Sequence, residues 1–164
     1  MATVATTHAP VYREPTGIMA WITTVDHKKI GIMYVLTTFT FFVIGVALAQ
    51  VMRLELANPG QQIVDAEQYN QIFSMHGTTM IFLVVMPLAA GFGNYLLPLQ
   101  IGARDVAFPR INALGYWAFL TGGLFLYSSI FLGGMASGGW FGYAPLSTGS
   151  NLAAGALAGT PFVG

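Results

Sequence analysis

Three long runs without an acidic or basic side chain constrain the fold of this chain most. They cover residues 30–52, 72–97 and 111–132, and none contains Asp, Glu, Lys or Arg. Each run is long enough to cross the hydrocarbon core of a bilayer, which takes about 20 apolar residues. Only 7% of the 164 residues are charged, against roughly 25% in soluble domains. The sequence therefore predicts an all-α integral membrane protein with three transmembrane helices.

The remaining composition argues against several other classes of protein. The net charge is zero, so nothing favours nucleic acid as a partner, and there is no cysteine for a disulfide or a thiolate metal site. We divide the chain into a cytoplasmic tail and interfacial segment at 1–29, a three-span portion at 30–147 and a Gly/Ala-rich tail at 148–164. Pro87 lies inside the second run, where it predicts a kink or a local loosening of the helix.

The distribution of Lys and Arg predicts the orientation in the membrane. The segment before the first run and the connection between the second and third runs are rich in these residues, whereas the first connection contains only Arg53. Basic residues favour the cytoplasmic side. We therefore expect the N-terminus in the cytoplasm, His76 near the outer face, and Asn94 and Asp105 near the inner face.

His76 is the only histidine within the three runs, and Gly77 follows it. A residue without a side chain lets a flat group approach the helix, and neutral imidazole is a common axial ligand of haem iron. A histidine in such a run can also serve only to hydrogen-bond across a helix interface, and spacing alone leaves both possibilities open. At 3.6 residues per turn, Asn94 falls on the same face of a regular helix as His76.

Arg53 and Glu55 follow the first run directly, and a turn signal that includes Gly60 comes next. One interpretation is an ordinary pair of charged side chains at the membrane interface. The other separates their roles. Arg53 would donate to a buried polar group, and Glu55 with the carbonyl of Gly60 would bind a hard cation such as calcium or sodium.

Asp105 lies between two arginines in the second connection, with Asn94 and Asn112 at the adjoining ends of the second and third runs. The acid could form a solvated ion pair, or it could accept protons at the mouth of a hydrated path. Amide side chains orient water but do not carry protons themselves. Beyond the third run, the indole of Trp140 either belongs to an aromatic belt or donates to an anionic group such as a haem propionate.

Glycines within the three runs are candidates for close helix contacts, since helices in lipid associate through small residues. These glycines are Gly45, Gly91, Gly93, Gly122 and Gly123.

Taken together, these residues resemble the beginning of subunit I of the haem–copper oxidases. The matching strings are DHKKIGIMY, MRLELANPG, YNQIFSMHGTTMIF, GFGNYLLPLQIGARDVAFPRINALGYW and GGWFGYAPLS. They occur in order between Val25 and Ser147. The resemblance implies that the three spans are the first part of a bundle of roughly twelve helices, a fold-level analogy.

The resemblance also implies cofactor-binding roles. His76 matches an axial ligand of a low-spin haem, and Arg53 matches the arginine that bonds the formyl group where that haem is haem A. Trp140 matches the tryptophan beside a propionate of the high-spin haem. Glu55 and Gly60 match an outer calcium or sodium site.

For proton transfer, the resemblance assigns Asp105 to the entrance of the D pathway and Asn94 and Asn112 to positions just inside it. The partners it implies are the remaining spans of subunit I, oxidase subunits II and III, membrane lipid, and cytochrome c or a quinol as electron donor. The expected location is the bacterial plasma membrane.

The chain lacks several residues that the family's chemistry requires. The second axial histidine, the ligands of copper B and the ligand of the high-spin haem have no counterpart, because the other histidines are only His8 and His27. We therefore expect the isolated 164 residues to be inactive and to act as part of a cytochrome c oxidase. The alternatives are a quinol oxidase subunit I and a non-enzymatic three-span scaffold without a cofactor.

Overall fold

The computed structural model describes residues 16–132, 134–139 and 141–142. Within these ranges the chain is helical and forms no β-strand. The elements in chain order are α1 (Met19–Ile22), α2 (His27–Glu55), α3 (Ala66–Thr78), a π-helical stretch (Thr79–Val85, the π segment), α4 (Met86–Gln100), α5 (Pro109–Ser128) and a short 3-10 turn (Ser129–Phe131). Trp140 and the tail at 148–164 lie outside the described residues.

Three continuous rods are long and apolar enough to cross a membrane, as the sequence predicts. They are His27–Glu55, Ala66–Gln100, which joins α3, the π segment and α4, and Pro109–Phe131. The π segment directly precedes Met86 and Pro87. Proline has no backbone N–H and crowds the preceding turn, so it favours a wider turn at this point. The predicted loosening around Pro87 is therefore present.

Local capping sets the ends of the rods. The side chain of Asp26 accepts a hydrogen bond from the backbone N–H of Lys28 at 2.8 Å, so α2 begins at His27. Asp65 and Gln68 form a reciprocal capping box that starts α3. α4 ends before Gly102, whose φ of 70° is a left-handed conformation that glycine adopts without a steric penalty.

Two of the predicted glycines bring helices into close contact. A Cβ atom built at Gly91 of α4 would lie 2.8 Å from the Cβ of Tyr34 in α2. A Cβ atom at Gly123 of α5 would lie 2.7 Å from Cζ of Phe41, also in α2. Both distances are too short for carbon atoms, so only glycine permits these contacts. α2 is therefore the helix against which the other two rods pack.

The other three glycines give a mixed result. Gly45 of α2 faces the π segment, where an added Cβ would lie 2.6 Å from Sδ of Met80. Gly93 would meet only Leu97 of its own helix, at 3.8 Å, and Gly122 would meet nothing within 4 Å. These last two predicted contacts are absent among the three described rods.

Polar side chains reinforce the packing at two depths. The hydroxyl groups of Thr37 and Tyr116 lie 2.9 Å apart and join α2 to α5. Those of Thr79 and Tyr127 lie 2.7 Å apart and join the π segment to α5. In lipid such bonds satisfy polar groups that have no water to bind. Large apolar side chains cover the outward faces, including Phe125, which is 79% exposed.

Candidate functional site

His76 lies in the last turn of α3, and its ring is fixed by a backbone carbonyl. Its Nδ1 is 2.9 Å from the carbonyl oxygen of Gly45 in α2. A carbonyl only accepts, so Nδ1 must be the donor, and the proton of the neutral ring stays on that nitrogen. Nε2 is then the nitrogen with an available lone pair, and it forms no hydrogen bond with any residue that the structure describes. The ring is thus held in one tautomer and one orientation by a backbone partner, an arrangement that metal-binding histidines commonly have.

The structure contains the hydrogen bond that one interpretation of His76 predicts, while the role of this residue as a haem ligand stays a prediction. The bond crosses a helix interface, yet it uses only one nitrogen and leaves the other available. Gly45 lies against the π segment at this point, where an added Cβ would meet the flexible side chain of Met80. The expectation that Asn94 shares a helix face with His76 assumed a regular α-helix. The π segment between them interrupts the period of 3.6 residues, so the shared face no longer follows.

Glu55 ends α2 three residues beyond the uncharged run, and the first connection wraps around its carboxylate. Oε1 accepts from the backbone N–H of Gln62 at 2.9 Å, and Oε2 accepts from those of Ile63 at 2.6 Å and Val64 at 3.0 Å. These three donors hold the pKa of Glu55 below its usual value, since they stabilise the charged form. The side chain is 8% exposed.

Arg53 does not pair with this carboxylate. Its side chain is exposed, and within the described ranges it forms no ion pair with an acidic residue. Arg53 and Glu55 therefore form no ion pair with each other in the described part of the chain, and their placement as charged side chains at the membrane interface stays a prediction. Gly60 has a φ of 89°, and it lines an open cavity of about 340 Å³ together with Glu55, Tyr69 and Asn70.

Asp105 at the opposite end of the rods contacts a histidine rather than its flanking arginines. Its Oδ1 lies 3.0 Å from Nδ1 of His27 and accepts the backbone N–H of Val106 at 2.8 Å. Arg104 and Arg110 are both exposed, and neither forms an ion pair with Asp105 in the described part of the chain. The predicted ion pair with the arginines is therefore absent.

The two asparagines differ in their surroundings. The side-chain N–H of Asn94 donates to the carbonyl of Ala90 in its own helix at 3.0 Å. Nδ2 of Asn112 is buried and has no hydrogen-bond partner among the described residues. No direct hydrogen bond joins either amide to Asp105 in this part of the structure. Any link between these three side chains therefore requires intervening water.

His27 is the contact that the sequence did not reveal. It reads as one member of the charged segment Asp26 to Lys29, and it lies 78 positions before Asp105. Its side chain is only 2% exposed. The one available signal was its position: both residues border predicted spans on the side rich in Lys and Arg.

A further contact attaches the segment after α5 to the helix that contains His76. Oγ of Ser74, which is 3% exposed, accepts the backbone N–H of Gly139 at 2.8 Å. Ser74 precedes His76 by two positions. This bond therefore holds Gly139 beside α3.

Residues 29–163 match the model of the family described as Cytochrome C and Quinol oxidase polypeptide I. The chain belongs to this family. The match covers most of the sequence and confirms the resemblance to subunit I of the haem–copper oxidases. Together with the three apolar rods, family membership makes this an integral membrane protein.

Individual relatives in this oxidase family come from several bacteria. A putative cytochrome c oxidase subunit 1-beta of Streptomyces avermitilis is 53% identical over 149 residues, which are 89% of this chain and 26% of the relative. The cytochrome c oxidase subunit 1 of Corynebacterium glutamicum is 49% identical over 147 residues, covering 85% and 25%. That of Bacillus subtilis is 52% identical over 133 residues, covering 80% and 21%. The chain spans about a quarter of the length of these relatives.

Proposed function

We propose that this chain is the N-terminal portion of the catalytic subunit of a respiratory terminal oxidase. The complete subunit would reduce dioxygen to water with electrons from cytochrome c and couple the reaction to proton pumping. This portion would supply one ligand of the low-spin haem and the proton entrance, and by itself it would be inactive. The observation on which the proposal depends is the orientation of His76, whose Nδ1 is bonded to Gly45 while Nε2 is available.

The residues at the outer end suit a haem. His76 is half-buried next to Gly77, and its available nitrogen is the one that iron would bind. The exposed guanidinium of Arg53 has no acidic partner in the described ranges, so it is available to donate to the formyl group of haem A. When bound, this haem would transfer electrons. The chain's own contribution is to hold the imidazole in one tautomer and one orientation.

Trp140 would donate to a propionate of the high-spin haem. The bond between Ser74 and Gly139 supports this role, because it fixes the residue before Trp140 in sequence beside the helix of His76. The high-spin haem, copper B and the second ligand of the low-spin haem would belong to the remaining spans of the subunit. Those spans would also cover exposed apolar faces of the three rods, and subunits II and III would complete the assembly.

At the inner end, Asp105 would admit protons to the D pathway. Its side chain is 37% exposed, so it can exchange protons with bulk water. The buried amide nitrogen of Asn112 has no partner among the described residues, and internal waters typically bond polar groups that are otherwise unsatisfied. Asn94 and Asn112 would orient such waters beyond the carboxylate. The excess of Lys and Arg supports a cytoplasmic location for this end, and the relatives support the bacterial plasma membrane.

Near the outer end, Glu55 and the carbonyl of Gly60 would bind calcium or sodium. Three backbone amides already hold the carboxylate in its charged form. The adjacent cavity of about 340 Å³ has room for a cation and the water molecules bound to it. Hard cations prefer carboxylate and carbonyl oxygens.

Replacement of His76 tests the proposal. In the complete oxidase, His76→Ala should abolish the low-spin haem band in the reduced-minus-oxidised difference spectrum, because the iron loses an axial ligand. Phe73→Leu, an exposed position one turn earlier in α3, is the matched control and should leave the band unchanged. An unaltered band in His76→Ala would refute the ligand role. Complete absence of haem would favour the scaffold, and oxidation of a quinol but not of cytochrome c would identify a quinol oxidase.

A further inference from the structure

The contact between His27 and Asp105 joins the start of the first rod to the connection between the other two rods, at the proposed proton entrance. His27 is the first residue of α2, and Asp105 lies in the connection between α4 and α5. The imidazole is 2% exposed and the carboxylate is 37% exposed, so the pair runs from the interior to the surface. Their atoms Nδ1 and Oδ1 are 3.0 Å apart.

The start of α2 does not require a histidine. Asp26 already caps the helix through the N–H of Lys28, and its Oδ1 is 3.8 Å from Nδ1 of His27, beyond hydrogen-bonding distance. Nε2 of His27 is buried and has no partner among the described residues. Burying an unpaired polar atom costs about 1–3 kcal/mol. A purely structural position would be filled at lower cost by an apolar side chain.

The direction of the bond follows from the chemistry of the two groups. An ionised carboxylate only accepts, so Nδ1 of His27 is the donor. Oδ1 of Asp105 therefore receives two donors, the imidazole and the backbone N–H of Val106. Oδ2 accepts no hydrogen bond from any residue in the described ranges. The two oxygens are thus made different: one is held by the protein and the other is left for water.

We propose that His27 is a positioning residue for proton uptake by Asp105. The inference rests on the proposed function, in which Asp105 is the entrance of the proton path. By holding Oδ1, the imidazole keeps the carboxylate in one rotamer, with Oδ2 directed to water. Oδ2 takes a proton from a hydronium ion in bulk solvent and then releases it to the next water inside. His27 donates from Nδ1 and does not itself take up the transferred proton.

Two conservative variants separate this role from simple packing. The amide nitrogen of Asn can occupy the place of Nδ1, whereas that of Gln occupies the place of Nε2. In the complete oxidase, His27→Gln should slow proton uptake about tenfold, which is the effect expected from losing one hydrogen bond to a charged group. His27→Asn keeps that bond and should slow uptake by no more than about twofold. Uptake is measured with a pH-indicator dye in weakly buffered solution after mixing the reduced enzyme with oxygen. Lys28→Gln, at the neighbouring exposed position, is the control and should match the parent.

A second measurement reports on Asp105 itself. The carboxyl stretch of Asp105 in the infrared difference spectrum should shift in His27→Gln and remain in place in His27→Asn. Equal effects of the two variants on both readouts would overturn the inference, and so would no effect of either. The low-spin haem band identifies any variant that has not assembled.

Asp105→Asn distinguishes failure of the inference from failure of the proposed function. If that variant leaves proton uptake unchanged, Asp105 is not the entrance and the proposed function is wrong at this site. If Asp105→Asn slows uptake while His27→Gln does not, the positioning role alone is wrong. If Asp105 is the entrance and His27 positions it, His27→Gln should cause no further slowing in the Asp105→Asn background. The carboxylate that His27 positions is already absent from that background.

Discussion

The close approach of α2 and α4 gives a quantitative prediction about Gly91. A Cβ atom at this position would lie 2.8 Å from Cβ of Tyr34 and 3.3 Å from both the carbonyl oxygen of Gly31 and Cγ2 of Val35. Favourable contacts between carbon atoms need about 3.5–4.0 Å. Gly91→Ala must therefore separate the helices by about 1 Å, because the atoms it meets are fixed to the backbone of α2.

Two opposing effects set the magnitude. Overpacking of this kind typically costs about 1–3 kcal/mol. Alanine in place of glycine in a helix returns up to about 1 kcal/mol. We expect a net loss of about 1–2 kcal/mol for Gly91→Ala, roughly a tenfold shift in the unfolding equilibrium.

Gly45→Ala is the matched comparison. Its Cβ would meet the thioether of Met80 at 2.6 Å, but a flexible methionine can rotate away and the cost should be small. Both variants are made in the complete oxidase and titrated with denaturant in mixed micelles, with helical circular dichroism as the readout. Equal stability of the two variants, or a Gly91→Ala protein as stable as the parent, would refute the account of the packing.

Three further predictions concern hydrogen bonds. In a double-mutant cycle, Thr79→Val and Tyr127→Phe should show a coupling of about 0.6 kcal/mol, the average for such bonds in membrane proteins. Zero coupling would mean that the 2.7 Å hydrogen bond does not contribute to stability. The backbone amides that donate to Glu55 lower its pKa below 4.5. The charged carboxylate should therefore stabilise the first connection fully above about pH 4.5, and this stabilisation should be lost as the pH falls through the lowered pKa. Hydrogen exchange at the amides of Gln62, Ile63 and Val64 should detect that loss. Glu55→Gln should weaken the protection of these amides at all pH values and remove the pH-dependent transition. The same transition in the variant would show that Glu55 does not cause it. Ser74→Ala should accelerate exchange at the N–H of Gly139, and an unchanged rate would show that the serine does not hold it.

The three rods were predictable because their signal is global. A run without charges long enough to cross a bilayer has few alternative structures. The first two predicted runs lie within observed rods, and the third ends one residue beyond its rod, at 132 instead of Phe131. The ends were less accurate, because helices stop at caps rather than at the first charged residue. α3 begins at Ala66, six residues before the apolar run, because Asp65 and Gln68 form a capping box.

Contacts between distant residues were harder to predict. The presence of a glycine does not reveal which face of a helix meets a neighbour. The predicted helix contact is therefore found at Gly91, whereas Gly93 faces no other described rod. The partner of Asp105 was missed because adjacent arginines suggested a local ion pair. Burial of His27 depends on how the start of α2 meets the loop after α4, which no local pattern encodes.

The π segment lies between the parts of the second rod that bear His76 and Asn94. Each of its turns takes more residues than a regular turn, so the part of the rod that bears His76 is rotated about the rod axis relative to the part that bears Asn94. Deleting one residue between Thr79 and Val85 would allow ordinary α-helical turns and change that angular offset. The imidazole and the inner amide would then point in a different relation to each other, although neither had been altered.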